Sequence, residues 1–117
     1  MPETTYCLEY YADEKGKEPF RDWLYGLRDR AAFARITVRL DRVELGNFGF
    51  CKSVGNGVFE LKIDYGPGYR VYYAISGKIV VLLLLGGDKS TQAKDIETAK
   101  SYWASHRERT YERNDAL

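Results

Sequence analysis

VFELKIDYGPGYRVYYAISGKIVVLLLLGGDKST, running from Val58 to Thr91, alternates apolar and polar side chains through two stretches, turns at Gly66-Pro67-Gly68 and at Gly77, and closes where a helix can begin. It reads as a three-stranded meander feeding a helix N-terminus. With Gly66, Pro67 and Gly68 in the turn, Tyr65 opposes Tyr69, Asp64 opposes Arg70, Ile63 opposes Val71 and Lys62 opposes Tyr72. One face of this hairpin carries Phe59, Leu61, Ile63, Tyr65, Tyr69, Val71, Tyr73 and Ile75, and is expected to pack on helices. The other carries Glu60, Lys62, Asp64, Arg70 and Tyr72. The next strand, Lys78 to Leu85, is apolar at successive positions, which marks a strand covered on both faces. Something must therefore cover part of the second face, either the final helix or a bound partner.

Upstream, Thr4 to Tyr11 alternates as a half-buried strand, with Tyr6, Leu8 and Tyr10 on one side and Cys7, Glu9 and Tyr11 on the other. Pro19 suits the first position of a short helix whose Phe20, Trp23, Leu24 and Leu27 share a stripe. Asp29 can cap a longer helix with the stripe Ala32, Ile36, Leu40 and Val43, ending at Gly46 and Asn47. The two helices are expected to form a hairpin. Arg35, Arg39 and Arg42 line one flank of the second, where they face solvent or meet phosphate or an acidic partner. Residues 47–57, with Gly49, Gly55 and Gly57, read as a loop carrying Phe48 and Lys52. Downstream, a final helix from about Ser90 to Arg107 offers Ile96, Ala99 and Trp103 to the covered strand, and Glu108 to Leu117 reads as a frayed polar tail.

The 117 residues make one α+β domain, since a chain of this length builds a single core. Its 18 Lys and Arg against 17 Asp and Glu give a net charge of +1, so nucleic-acid binding would have to rest on local clustering. Two cysteines without CxxC spacing form neither a disulfide framework nor a metal site, and they fit free thiols in a reducing cytosol. The first residues lack a signal-like apolar core, and the apolar run from Ile79 to Leu85 is too short to span a bilayer. A cytoplasmic protein is expected.

Two groupings can carry chemistry. On the hairpin's polar face, Lys62 and Arg70 put two cations within reach of one phosphate, with Tyr72 beside them as hydroxyl or stacking surface. Such a set suits RNA, because cleavage by the ribose 2′-hydroxyl needs a base, a neutralised phosphate and a protonated leaving oxygen. The plain structural alternative is an Asp64–Arg70 cross-strand ion pair with Lys62 merely exposed. The second grouping is GGDKSTQ, Gly86 to Gln92, where backbone N–H groups and Lys89 can meet an anion. It lacks the glycine spacing of a Walker loop, and the alternative is a strand-to-helix turn capped by Asp88 or Ser90. His106, the single histidine, has no second His or Cys at metal spacing, so neither a metal nor another cofactor is expected.

The strings ELKIDYGPGYRVYY and GGDKSTQAKDIETAK, together with RLDRVELGNFG, resemble the RelE/ParE toxin superfamily of bacterial type II toxin–antitoxin modules, nearest its HigB-like, phage-derived addiction module killer branch. The resemblance covers nearly the whole chain. It implies a RelE-like fold, with two N-terminal helices on a twisted, mostly antiparallel sheet of an N-terminal strand plus the meander, and a C-terminal helix. It also implies a cognate helix-turn-helix antitoxin and, for RelE and HigB relatives, metal-independent cleavage of mRNA on the ribosome. Arg70, Lys62 and Lys89 are then the catalytic candidates, and Lys52, Tyr72 and Gln92 the RNA contacts. A ParE-like inhibitor of DNA gyrase, or a degenerate toxin kept as an antitoxin-binding co-repressor, is the alternative on the same fold.

Overall fold

The structure, a computed structural model, describes the backbone of residues 5–115 and the side chains of residues 5–110. In chain order it holds β1 (Cys7–Tyr10), α1 (Pro19–Tyr25), α2 (Arg30–Glu44), β2 (Cys51–Gly55), β3 (Val58–Ile63), β4 (Tyr69–Ser76), β5 (Val80–Asp88), a 3-10 turn (Lys89–Thr91) and α3 (Gln92–Asp115). The strands form one mixed sheet in the order β1-β5-β4-β3-β2. Only the β1–β5 pair is parallel, from Cys7 opposite Val80 to Tyr10 opposite Leu83; the others are antiparallel.

The sheet separates two cores. On one side α1 and α2 bury Phe20, Leu24, Ile36, Leu40 and Val43 against Leu61, Ile63, Val71, Tyr73, Val81 and Leu83. On the other side α3 brings Ala99, with Ile96 and Trp103, onto Val58, Tyr72, Ala74, Leu82 and Leu84. The unbroken aliphatic run of β5 is thereby explained, for α1 and α3 both pack on it and each covered side chain contributes roughly 1.5–3 kcal/mol. Asp29 caps α2 as expected, its Oδ1 accepting from the backbone N–H of Ala31 at 2.9 Å and of Ala32 at 3.2 Å. The two N-terminal helices share one core and touch through the Tyr25 and Phe33 rings, 5.5 Å between centroids.

Four expectations need correction. Residues 47–57 are not all loop, because β2 pairs with β3 from Cys51 opposite Leu61 to Gly55 opposite Val58. Asn56 and Gly57, with φ of 58° and 84°, form the left-handed pair that a two-residue hairpin turn requires. The Asn-Gly dipeptide was the available signal.

The β3–β4 register is displaced by two residues: Ile63 opposes Tyr69, Lys62 opposes Arg70, Leu61 opposes Val71 and Glu60 opposes Tyr72. The turn takes residues 64–68, since Tyr65 leaves the ladder to donate its hydroxyl to Asp29 Oδ2 at 3.1 Å, with the Arg35 guanidinium 4.5 Å from its ring centroid. A shift of two keeps every side chain on its expected face.

β5 extends through Gly86 and Gly87 to Asp88, so the two glycines belong to the sheet. A Cβ on Gly86 would overlap the Trp23 indole, and one on Gly87 the Asp95 carboxylate. They admit those side chains. Finally, α3 continues past Arg107 to Asp115, so the backbone of the expected tail is helical that far. Thr4, the expected start of the first strand, and residues 116–117 lie outside the described residues.

Candidate anion-binding site on the sheet

Lys52 on β2, Glu60 and Lys62 on β3, and Arg70 and Tyr72 on β4 share the α3-facing side, because directly opposed residues point the same way: Lys52 opposes Glu60, Lys62 opposes Arg70 and Glu60 opposes Tyr72. Gln92 enters from the first turn of α3. At the centre is Glu60, 2% exposed. Its Oε2 accepts from Gln92 Nε2 at 2.8 Å and lies 3.9 Å from Arg70 Nε, while its Oε1 lies 3.8 Å from Lys52 Nζ. One carboxylate thus serves two cations and an amide.

Arg70 is 6% exposed. Its Nη1 donates to the Gly68 carbonyl at 2.6 Å, and its Nε has no hydrogen-bond partner. The Asp64–Arg70 pair expected from the sequence does not form; the two-residue register shift puts Lys62 opposite Arg70, and Glu60 takes the ionic role. Two like charges directly opposed cost up to about 1 kcal/mol, a penalty that folding alone does not call for. Burying an arginine with one N–H unpaired adds to it.

Tyr72 lies fully buried beneath α3, so its ring is closed to a stacking base in this conformation. Its hydroxyl completes no hydrogen bond yet sits in the field of Glu60. Burial first, and then the Glu60 and Asp95 carboxylates, push the phenol far above its ordinary value, with Arg70 pulling the other way. It stays protonated at any physiological pH. Gln92, expected as an RNA contact, donates to Glu60.

Lys89 stands exposed at the start of the 3-10 turn. A Cβ built on Gly68 would lie 3.0 Å from Arg70 Nη1 and 3.8 Å from Lys89 Cβ, so Gly68 is the neighbour that Arg70 and Lys89 share. The turn itself is capped: Asp88 Oδ1 accepts from the Ser90 hydroxyl and, at 2.8 Å, from the Ser90 N–H, and these bonds hold the Asp88 carboxyl below the usual carboxylate range. That cap is the structural alternative for GGDKSTQ. Lys52, Arg70, Tyr72 and Gln92 therefore converge on Glu60, Lys62 flanks Arg70, and Lys89 stands across Gly68. The residue that sequence reasoning passed over is Glu60, whose partner appears only in the observed register.

Residues 22–104 match the model of the phage-derived Gp49-like protein family. The chain belongs to that family. The Gp49-like stretch runs from within α1 into α3 and contains Glu60 and all six candidates. A relative in Haemophilus influenzae, itself an uncharacterized protein, is 53% identical over 81 residues, 69% of this chain and 82% of its own. Among the described residues of this Gp49-like protein, no helix is long and apolar enough to cross a membrane.

Proposed function

We propose that this protein is the toxin of a type II toxin–antitoxin module, held in check by a helix-turn-helix antitoxin, and that it inhibits translation by cleaving mRNA on the ribosome. Membership of the phage-derived Gp49-like family is compatible with a toxin of this kind. The observation that carries the reading is the cation cluster around Arg70: Lys62 directly opposite it, and one buried carboxylate between it and Lys52. In this reading Arg70 and Lys62 neutralise the scissile phosphate. Glu60 accepts the proton of the attacking ribose 2′-hydroxyl, and Lys89 gives a proton to the leaving 5′-oxygen. The bond formed is 2′-O to phosphorus, and the bond broken is phosphorus to 5′-O.

The burial of Arg70 favours a second reading, a ParE-like toxin that acts on DNA gyrase through protein contacts, for which no cation need reach RNA. Primer-extension mapping of cellular mRNA after a short pulse of the chain separates the two. The nuclease reading expects cuts within translated codons that vanish with Arg70→Ala and Glu60→Gln. Growth arrest with intact mRNA rejects it and directs the next assay to gyrase supercoiling. Unchanged growth points to a degenerate toxin kept as a co-repressor.

A further inference from the structure

The Arg70 cluster has a closed side and an open one. α3 packs on β5, β4 and β3 and reaches the β2–β3 hairpin at its tip, where Lys100 stands over Gly55 and Trp103 over Gly57. The opposite end of β2 stays open: the Lys52 side chain is 62% exposed and Phe50, in the bend before the strand, 71%. The Phe50 carbonyl accepts from the Lys62 N–H at 3.4 Å and from Arg39 Nη2 at 3.4 Å, which sets Phe50 opposite Lys62 and fixes the backbone beneath its ring. Cys51 packs on the α1–α2 core, so strand alternation carries Phe50 to the other side, with Lys52 and Lys62. Phe50, Lys62 and Arg70 thus form one row across the sheet. The Phe50 ring belongs to neither core, and among the described residues the Lys62 ammonium forms no ion pair.

We propose that Phe50 is the stacking surface for a nucleobase of the bound mRNA, the base of a nucleotide adjoining the phosphate that Arg70 and Lys62 hold. The inference rests on the nuclease reading above and names a substrate contact for it. It gives the stacking role expected of the buried Tyr72 to a ring that a base can reach. Neighbouring strands lie about 4.8 Å apart, so Phe50 and Arg70 are separated by about 10 Å, a span that one nucleotide covers. The surroundings select a nucleic acid over a protein. Among the described residues of β2, β3 and the bend before them, Phe50 is the exposed large apolar side chain, so it makes no apolar patch of the kind that docks a protein. A lone ring beside ammonium groups is instead the arrangement that stacks a base and holds its phosphate.

The test is cleavage of a reporter mRNA on translating ribosomes by the purified full chain, read by primer extension, with Phe50→Ala, Phe50→Leu and Phe50→Trp. The Ala and Leu variants should cut at least about tenfold more slowly, and Phe50→Trp, which restores a ring, should recover most of that loss. Leucine keeps apolar bulk without a π face. A Leu variant as fast as the Trp variant, or an Ala variant as fast as the wild type, would overturn the proposal and leave the nuclease reading standing. Ribosomes without mRNA should co-sediment equally with the wild type and Phe50→Leu; loss of that binding would put Phe50 against the ribosome's own surface and also overturn it. Intact mRNA with the wild-type chain would reject the nuclease reading and this inference with it. Since the ring is exposed and outside both cores, all three variants should melt within about 3 °C of the wild type, so that slower cutting reports the lost contact.

Discussion

Glu60 Oε2 stands 3.9 Å from Arg70 Nε in a site where both side chains are almost wholly buried, and neither is the partner that counting back from the Gly-Pro-Gly turn assigns to the other. The carboxylate is the centre of the cluster because it alone answers Arg70 and Lys52 together.

Removing that carboxylate strips buried Arg70 of its ion-pair partner and leaves its hydrogen bond to the Gly68 carbonyl. Glu60→Ala should therefore destabilise the chain by about 3 kcal/mol in urea denaturation, the usual cost of a stranded buried charge. Arg70→Ala should cost less, since Glu60 keeps Lys52 and Gln92. The double variant should lose less than the sum of the two. Strict additivity would show that the pair is not coupled.

Gly86 and Gly77 should respond differently to alanine. A Cβ at Gly86 meets the Trp23 indole, while one at Gly77 meets nothing within 4 Å but must adopt a φ of 67°. Gly77→Ala should cost about 1 kcal/mol from backbone conformation alone. Gly86→Ala should cost about 3 kcal/mol or prevent folding, because a packed ring has to move. Melting temperatures of the two variants decide the order.

Alkali should unfold the protein through its buried phenols. Burial foremost raises Tyr72 and Tyr73, with Glu60 reinforcing it at the first and Cys51 at the second. A folded-state pKa above the unfolded 10.0 contributes stability that is complete below that pH and is lost as pH rises toward the folded value. Stability should be flat through neutrality and fall above about pH 10, and Tyr72→Phe should lessen the fall. At neutral pH the same substitution should change stability by less than about 1 kcal/mol, since the hydroxyl it removes completes no hydrogen bond. Denaturation midpoints across pH 8–12 provide the check.

Asp29 serves two elements at once, capping α2 with Oδ1 and receiving the Tyr65 hydroxyl on Oδ2. Asp29→Ala should cost about 1–2 kcal/mol, mostly from the cap. Tyr65→Phe should cost less, because that contact is partly open to solvent and Arg35 still covers the ring. A larger loss from Tyr65→Phe would place the turn's anchor in the hydroxyl.

The amino-acid sequence determined which way side chains point. Phe59, Leu61, Val71 and Tyr73 fall on the side covered by α1 and α2, and Ala32, Ile36, Leu40 and Val43 line α2, because periods of 2 and 3.6 are properties of a few consecutive residues. The asymmetry of the ends was equally legible at Asp29 and Pro19. Only the tertiary structure decided which residues meet. The β3–β4 register comes with a turn in which Tyr65 reaches Asp29, 36 residues away, and the alternation of a strand is indifferent to a shift of two. The burial of Arg70, Glu60 and Tyr72 depends on the loop of residues 64–68 and on α3 closing over the sheet, a packing choice that no local pattern contains. Residue types and faces are written locally; partners, distances and desolvation arise when segments distant in the chain come together, and those set the chemistry of this site.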